Sequence, residues 1–178
     1  MKKIVMFLAS LCILTSCSTE KKAESSTSTD SLSTNAVAAN QSDEAKKWLI
    51  EAIETTFQGE NYADTSRHIY TPTYEAYKND AVGVGYDGGL SEEEFVKKWK
   101  GKFNTKLAGM GTGFLISGQD FGKIKVATCD LTESLKDTSV FKVVIDDLDA
   151  KAHYKRDIKV VPAGKSFLIA DILEYNEQ

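Results

Sequence analysis

Two charged residues lie in stretches of this sequence that otherwise alternate like half-buried β-strands. In the stretch 167–175, a period of two places Asp171 on the apolar face, and in the stretch 153–162 it places Arg156 on the apolar face. Such residues form either a structural ion pair or the polar groups of a pocket, in which Arg156 holds an anionic or carbonyl group and Asp171 orients it. A β-bulge that returns Asp171 to solvent is a further alternative.

Aromatic residues at helical spacing are candidate walls for that pocket. Tyr70, Tyr74 and Tyr77 cluster around the sequence TPTYEAYKND, and Trp99 lies in the next helical stretch. A helical tyrosine stripe is more often a packed core with its hydroxyls at the rim. The sequence leaves catalytic residues unassigned. The ligand-binding candidates are Arg156, Asp171, Tyr70, Tyr74, Tyr77 and Trp99.

The sequence offers little for metal or nucleotide chemistry. His68 and His153 have no second ligand at metal-binding spacing, so we expect no metal and no other cofactor. The glycines of residues 109–113 (GMGTG) precede a predicted strand and lack a following Walker lysine, so they predict an ordinary loop. Cys129 has no adjacent cation to stabilise a thiolate and is interpreted as a half-buried strand residue.

The charge balance disfavours nucleic acid as a partner. The chain has 22 basic and 26 acidic residues, which give a formal net charge of −4. A lysine-rich stretch at residues 97–106 is the exception. Such a stretch is usually the solvated face of a helix, and the sharper alternative is docking on anionic headgroups or an acidic partner.

The N-terminal residues predict export and lipid attachment. Lys2 and Lys3 precede an apolar stretch, 4–14, that is too short to span a bilayer, and small residues follow it. The adjoining LTSC resembles the lipobox of bacterial lipoproteins, in which the cysteine becomes the acylated N-terminus. This resemblance implies a signal peptide at 1–16 and a palmitate-bearing Cys17. It also implies that the protein is anchored in a membrane. The expected location is the outer membrane, with the domain facing the periplasm or the cell surface.

Composition divides the rest of the chain into a tether and one domain. Residues 18–41 contain ten serines or threonines and no aromatic residue, which predicts a disordered tether over 17–41, beginning at the lipidated cysteine. Residues 42–178 have the size of a single domain.

Within that domain the period changes from helical to extended. Ser42 is the predicted N-cap of a helix ending at Gly59, and a short helical piece is predicted at 62–69. Thr71-Pro72 begins the next helix, and the capping box at 91–94 begins another. The predicted strands are 114–119, 123–131, 140–148, 153–162 and 167–175. We therefore expect an α+β fold with three to four N-terminal helical segments on a curved antiparallel sheet.

Three stretches resemble nuclear transport factor 2-like domains. They are QGENY at 58–62, TPTY at 71–74 and GKSFLIADI at 164–172. The resemblance covers most of residues 43–176 and implies a cone-shaped fold, with the cystatin-like fold as the alternative. It is particularly close to secreted bacterial lipoproteins of no assigned activity, in a superfamily that includes ketosteroid isomerases, dehydratases and non-catalytic binding or dimerising modules.

These observations favour a membrane-anchored, non-catalytic module that binds a small ligand or a protein partner, with a homodimer left open. The alternative is a cone-pocket enzyme, an isomerase, dehydratase or hydrolase, that uses Asp171 with a tyrosine. Neither residue type can be matched to the positions of the family's catalytic residues, so the non-catalytic interpretation is preferred.

Overall fold

The computed structural model describes residues 30–58, 68–106, 114–117 and 120–174, with side chains described from residue 40 onward. In these residues three helices precede four strands, which confirms the α+β class. The helices are α1 (Asp30–Thr56), α2 (Pro72–Gly83) and α3 (Glu92–Trp99). The strands are β1 (Ile124–Leu135), β2 (Thr138–Asp147), β3 (Ala152–Ala163) and β4 (Ser166–Glu174). The helical piece expected at 62–69 lies mostly outside the described residues.

Two helix starts agree with the capping signals in the sequence. The Thr71 hydroxyl accepts the backbone N–H of Tyr74 at 3.3 Å, and Pro72 occupies the first turn of α2. At α3, the Ser91 hydroxyl accepts the N–H of Glu94, whose carboxylate accepts the N–H of Ser91 in return. Because a cap fixes the first helical residue, it also fixes which side chains face the core.

The first helix begins earlier than its sequence predicts. Ser42 was expected as the N-cap, but it is buried within α1, and its hydroxyl lies 3.2 Å from the hydroxyls of Ser134 and Ser139. The prediction was wrong because this serine contacts the β1–β2 hairpin instead of capping a helix. Residues 30–41, which composition assigned to the tether, are helical. Residues 17–29 lie outside the described part of the chain.

The four strands form an open antiparallel sheet in the order β1-β2-β3-β4. One face of β2 and β3 is buried at every second residue. The buried residues are Ser139, Phe141, Val143, Ile145 and Asp147 on β2, and Tyr154, Arg156, Ile158 and Val160 on β3. Helix α1 packs on the sheet and contributes fully buried Leu49 and Ile53 to the shared core. The helix-on-sheet arrangement is therefore confirmed.

One predicted strand is replaced by a turn. Residues 114–117 form turns and bends, and Phe114 has a φ of +58°, which a strand residue does not adopt. Phe114, Leu115 and Ile116 are all buried, so burial here is consecutive and does not alternate. The hydrophobicity of these residues predicted a strand, but in the structure they form a turn that packs into the core. Residues 118–119 lie outside the described residues.

A β-bulge in β4 changes the face on which Asp171 lies. Val160 pairs with Ile169 and Lys159 pairs with Asp171, so Ala170 is an extra residue in β4. Because each extra residue reverses the alternation, Asp171 lies on the face opposite Ile169. The prediction that Ile169 and Asp171 share a face was wrong. A bulge in this strand was one of the alternatives in the sequence analysis, and the structure contains it.

The chain entering α2 joins the sheet beside this bulge. The N–H of Ile169 donates to the carbonyl of Ile69 at 2.7 Å, and the carbonyl of Ile169 accepts the N–H of Thr71 at 2.9 Å. Tyr70 and Ile169 thereby form a parallel bridge at the outer edge of β4. This bridge sets α2 and its tyrosines against the last strand.

Candidate functional site

Arg156 is fully buried and its donors are used by protein groups. Its Nε donates to the carbonyl of Phe114, one terminal nitrogen donates to the carbonyl of Lys155 at 2.8 Å, and the other donates to the hydroxyl of Ser117 at 2.9 Å. That second nitrogen also lies 3.8 Å from a carboxylate oxygen of Glu174. A guanidinium held on several sides is positioned as a structural group.

Glu174 holds the same turn from the neighbouring strand. Its carboxylate accepts the N–H of Phe114 at 2.9 Å and the hydroxyl of Ser117 at 3.4 Å. Arg156 and Glu174 are register partners on β3 and β4. Together they bind the turn at 114–117 to the sheet, and we call them the Arg156–Glu174 clamp. The sequence analysis did not select Glu174, although a carboxylate on the last strand was a partner to consider for a buried arginine.

Asp171 is not the partner of Arg156, because the bulge places the two residues on opposite faces of the sheet. Asp171 is half-buried opposite Lys159, and burial raises the pKa of its carboxyl group. Its negative charge also raises the pKa values of Tyr74 and Tyr77. The structure therefore separates the two polar groups that the sequence placed in one pocket.

The predicted aromatic walls form part of a packed core. The aromatic cluster comprises Tyr70, Tyr74, Tyr77, Phe95, Trp99, Phe103 and Phe114. Neighbouring ring centroids within it lie 4.5 to 6.2 Å apart, many in tilted or edge-to-face geometry. The cluster fills the space between α2, α3 and the turn at 114–117.

Polar atoms at the edge of the aromatic cluster have different environments. The Tyr77 hydroxyl donates to the carbonyl of Asn104 at 3.0 Å, and the indole N–H of Trp99 donates to Asp80 at 2.7 Å. The Tyr74 hydroxyl is buried and has no hydrogen-bond partner among the described residues. Burial is the main reason that the pKa values of Tyr74 and Tyr77 are raised, so both phenols stay protonated.

Lys78 is a functional candidate that the sequence analysis missed. Its ammonium nitrogen lies 3.7 Å from the ring centroid of Tyr70 and 4.9 Å from that of Phe114. Burial between these rings lowers the pKa of Lys78 to about 8. The i, i+4 spacing from Tyr74 to Lys78 was the available signal, since it places the lysine on the tyrosine face of α2.

A surface groove of about 880 Å³ lies along α3. Its walls combine apolar side chains with polar and charged ones. They are Val84, Gly85, Glu92, Phe95, Val96, Lys100, Phe103, Asn104, Thr105 and Lys106. Among the described residues that line it, none is one of the six ligand-binding candidates. A second pocket, of about 270 Å³, lies on α1 beside Ile69.

The remaining chemistry is limited in the residues that the structure describes. No group of three or more His, Cys, Asp or Glu side chains is placed there to hold a metal ion. Cys129 is buried, and burial raises the pKa of its thiol to about 11. Within the same residues, no helix has the length and apolar content needed to cross a bilayer. The predicted signal peptide and Cys17 lie outside the described part of the chain.

No family model, curated protein or solved structure matches this chain. The fold therefore defines a class only in coarse terms, three helices packed on a four-stranded antiparallel sheet in the described residues.

Proposed function

We propose that this chain is an extracytoplasmic lipoprotein, attached to a membrane through Cys17, whose domain is a non-catalytic protein-interaction module. We further propose that the domain is a nuclear transport factor 2-like cone, with the cystatin-like plan as the alternative. The expected place is the outer membrane, facing the periplasm or the cell surface. The observation that carries the functional proposal is the aromatic cluster, because the side chains expected to wall a ligand pocket pack against one another.

A filled interior supports binding through the outer surface. Small-molecule sites are usually clefts of about 300 Å³ or more with convergent polar groups. The groove along α3 has that volume, but none of the six ligand-binding candidates lines it. Here Arg156 donates to protein groups and Tyr77 donates to Asn104, so neither side chain points its donors toward an interior ligand. Partner binding then falls to exposed surfaces such as the outer face of the sheet, which carries exposed Lys142, Lys155 and Lys159.

The anchor is tested by metabolic labelling with an alkyne-bearing fatty acid. We expect label on the wild-type protein, loss of label in Cys17→Ser and retention in Cys129→Ser, which is the matched control. Label that persists in Cys17→Ser would contradict the lipobox assignment.

The interaction module is tested by photo-crosslinking in the producing cell. Crosslinkers at Lys142 and Lys155 probe the outer sheet face, and one at Lys47 probes the exposed side of α1. We expect discrete crosslinked products from one of these surfaces, and a product of twice the protomer mass identifies a homodimer. Two findings together would contradict the interaction module. A small metabolite raises the melting temperature of the wild type but not of Tyr74→Phe, and none of the three positions gives a crosslinked product.

A cone-pocket enzyme is the second candidate. The Tyr74 hydroxyl supports it, since this buried group has no partner among the described residues, and so does the raised pKa of Asp171. An isomerase, dehydratase or hydrolase of this kind predicts an activity that Asp171→Asn and Tyr74→Phe both abolish. Asp130→Asn, an exposed carboxylate on β1, is the control. Full activity in Asp171→Asn would exclude this mechanism.

A further inference from the structure

The stretch KKWKGKFNTK, residues 97–106, concentrates positive charge on one part of the surface. We call it the lysine segment. It carries five lysines and no carboxylate in a chain whose formal net charge is −4. All five side chains are exposed, although the ammonium group of Lys98 pairs with the carboxylate of Asp80 at 2.7 Å. The five are Lys97, Lys98, Lys100, Lys102 and Lys106.

The backbone of the lysine segment is held in place by the core. Trp99 is buried and its indole N–H donates to Asp80, while the N–H of Lys100 donates to the carbonyl of Val96 at 2.8 Å. The N–H of Lys102 then donates to the carbonyl of Trp99 at 2.9 Å, which closes a turn after α3. The lysines are therefore presented from a fixed turn, so little backbone entropy opposes their use in binding.

Apolar groups adjoin these charges. The end of α2 and the following loop expose Val82 and Tyr86, with 55% and 61% of their surface accessible. Val84 and Gly85 of the same loop line the groove along α3, as do Lys100 and Lys106. Tyr86 directly follows Gly85 of this groove, and an exposed tyrosine on a surface that also carries lysines is typical of contact with the interfacial region of a membrane.

We propose that the lysine segment and Tyr86 together form a surface that docks on the anionic lipid headgroups of the membrane. The inference rests on the proposed lipid anchor, because an anchor at Cys17 would hold the domain close to a membrane surface. The stretch from Cys17 to Asp30 extends at most roughly 45 Å.

Charge along α3 orients this docking. The first turn of α3 is acidic at Glu92, Glu93 and Glu94, whereas its last turn is basic at Lys97 and Lys98. An anionic membrane surface attracts the last turn of α3 and repels the first turn. The C-terminal end of α3 therefore faces the membrane. The carboxylates of an acidic protein could pair with the lysines equally well. The exposed Val82 and Tyr86 favour a membrane instead, because a membrane has an apolar layer beneath its charged headgroups.

The test measures vesicle binding by the chain from residue 18 onward, which retains every described residue and lacks the acyl site. Vesicles are an equimolar mixture of phosphatidylglycerol and phosphatidylcholine, or phosphatidylcholine alone. We expect binding to the first, weakened by salt, and none to the second. Because each lysine near an anionic surface contributes about fivefold in affinity, changing Lys100, Lys102 and Lys106 to glutamine weakens binding roughly a hundredfold.

A matched variant separates this surface from overall charge. Changing Lys123, Lys136 and Lys165 to glutamine gives the same net charge at exposed positions on other parts of the fold, and it should leave binding within about twofold. Tyr86→Ser should weaken binding severalfold, whereas Leu135→Ser, at an exposed leucine of β1, should not.

Several outcomes overturn the proposal. They are no binding to the anionic vesicles, equal losses from both lysine triples, or competition by soluble polyglutamate as strong as that by anionic vesicles, which would assign the surface to acidic proteins. Thermal unfolding confirms that each variant is folded. The experiment is independent of acylation, so it can fail while labelling at Cys17 succeeds, and the reverse also holds.

Discussion

Replacing Arg156 with glutamine tests whether the Arg156–Glu174 clamp is structural. The substitution removes the guanidinium that donates to Phe114, Lys155 and Ser117. It leaves the Phe114 carbonyl and the Glu174 carboxylate without their buried cationic partner. The turn at 114–117 then keeps only its bonds to Glu174 among the contacts of the clamp.

The expected loss of stability follows from burial. Breaking a buried charge pair by removing one partner costs about 3–5 kcal/mol, because the remaining group stays desolvated. Hydrogen bonds to charged groups contribute about 1.5–3 kcal/mol each. Three bonds at the low end of this range, reduced by the part that glutamine recovers, agree with the loss expected from burial. For a domain of this size the loss corresponds to a drop of roughly 6–20 °C in melting temperature.

Thermal and urea unfolding, followed by circular dichroism, measure this loss. Lys155→Gln is the control, because that side chain is exposed on the same strand and its removal should change stability by less than about 0.5 kcal/mol. Glu174→Gln should cost less than Arg156→Gln, since it retains an acceptor for the N–H of Phe114. An Arg156→Gln protein as stable as the wild type would refute the structural role and indicate that the arginine is held for a ligand.

Three further predictions concern the core. Lys78→Met should stabilise the protein at neutral pH, because the pKa of Lys78 falls from its ordinary 10.5 to about 8. Between pH 8 and 10.5 the Lys78 side chain is protonated in the unfolded chain but not in the folded protein, so the stability of the wild type should rise as the pH increases through this range. Urea midpoints that do not change with pH would contradict this prediction. Tyr77→Phe should cost about 1 kcal/mol by removing the donor to Asn104, whereas Tyr74→Phe, which loses a hydroxyl without a described partner, should not destabilise in urea titrations. Equal losses would show that the two hydroxyls are equivalent. Cys129, whose pKa is raised to about 11, should react with iodoacetamide slowly in the folded protein and rapidly in urea, and fast labelling of the folded state would refute its burial.

The elements that sequence predicted well are those fixed by local signals. Thr71-Pro72 and the Ser91–Glu94 capping box define helix starts through bonds between residues three apart, so a short stretch of sequence contains the whole signal. The order of helices and strands also followed from the change of hydrophobic period, which the sequence placed after residue 113, although the first strand begins only at Ile124. These features need no knowledge of distant contacts.

The errors arose where distant contacts override the local pattern. Ser42 resembles a cap until Ser134 and Ser139 are placed beside it, and the turn at 114–117 resembles a strand until Arg156 and Glu174 hold it. The predicted face of Asp171 was wrong because a β-bulge changes the alternation. No local signal marks the bulge in β4, so the face of Asp171 could not be read from alternation.

The bridge between Ile169 and the residues before α2 has a consequence for the order in which the chain can fold. Residues 69–71 bond to a strand that lies about a hundred positions later, so their partner does not exist while the N-terminal half is being synthesised. Strand β3 likewise lacks its neighbour β4 until β4 has been synthesised. The bridge and the β3–β4 pairing are therefore the last of these contacts to form on the nascent chain, so the chain entering α2 is joined to the sheet only after β4 has been made.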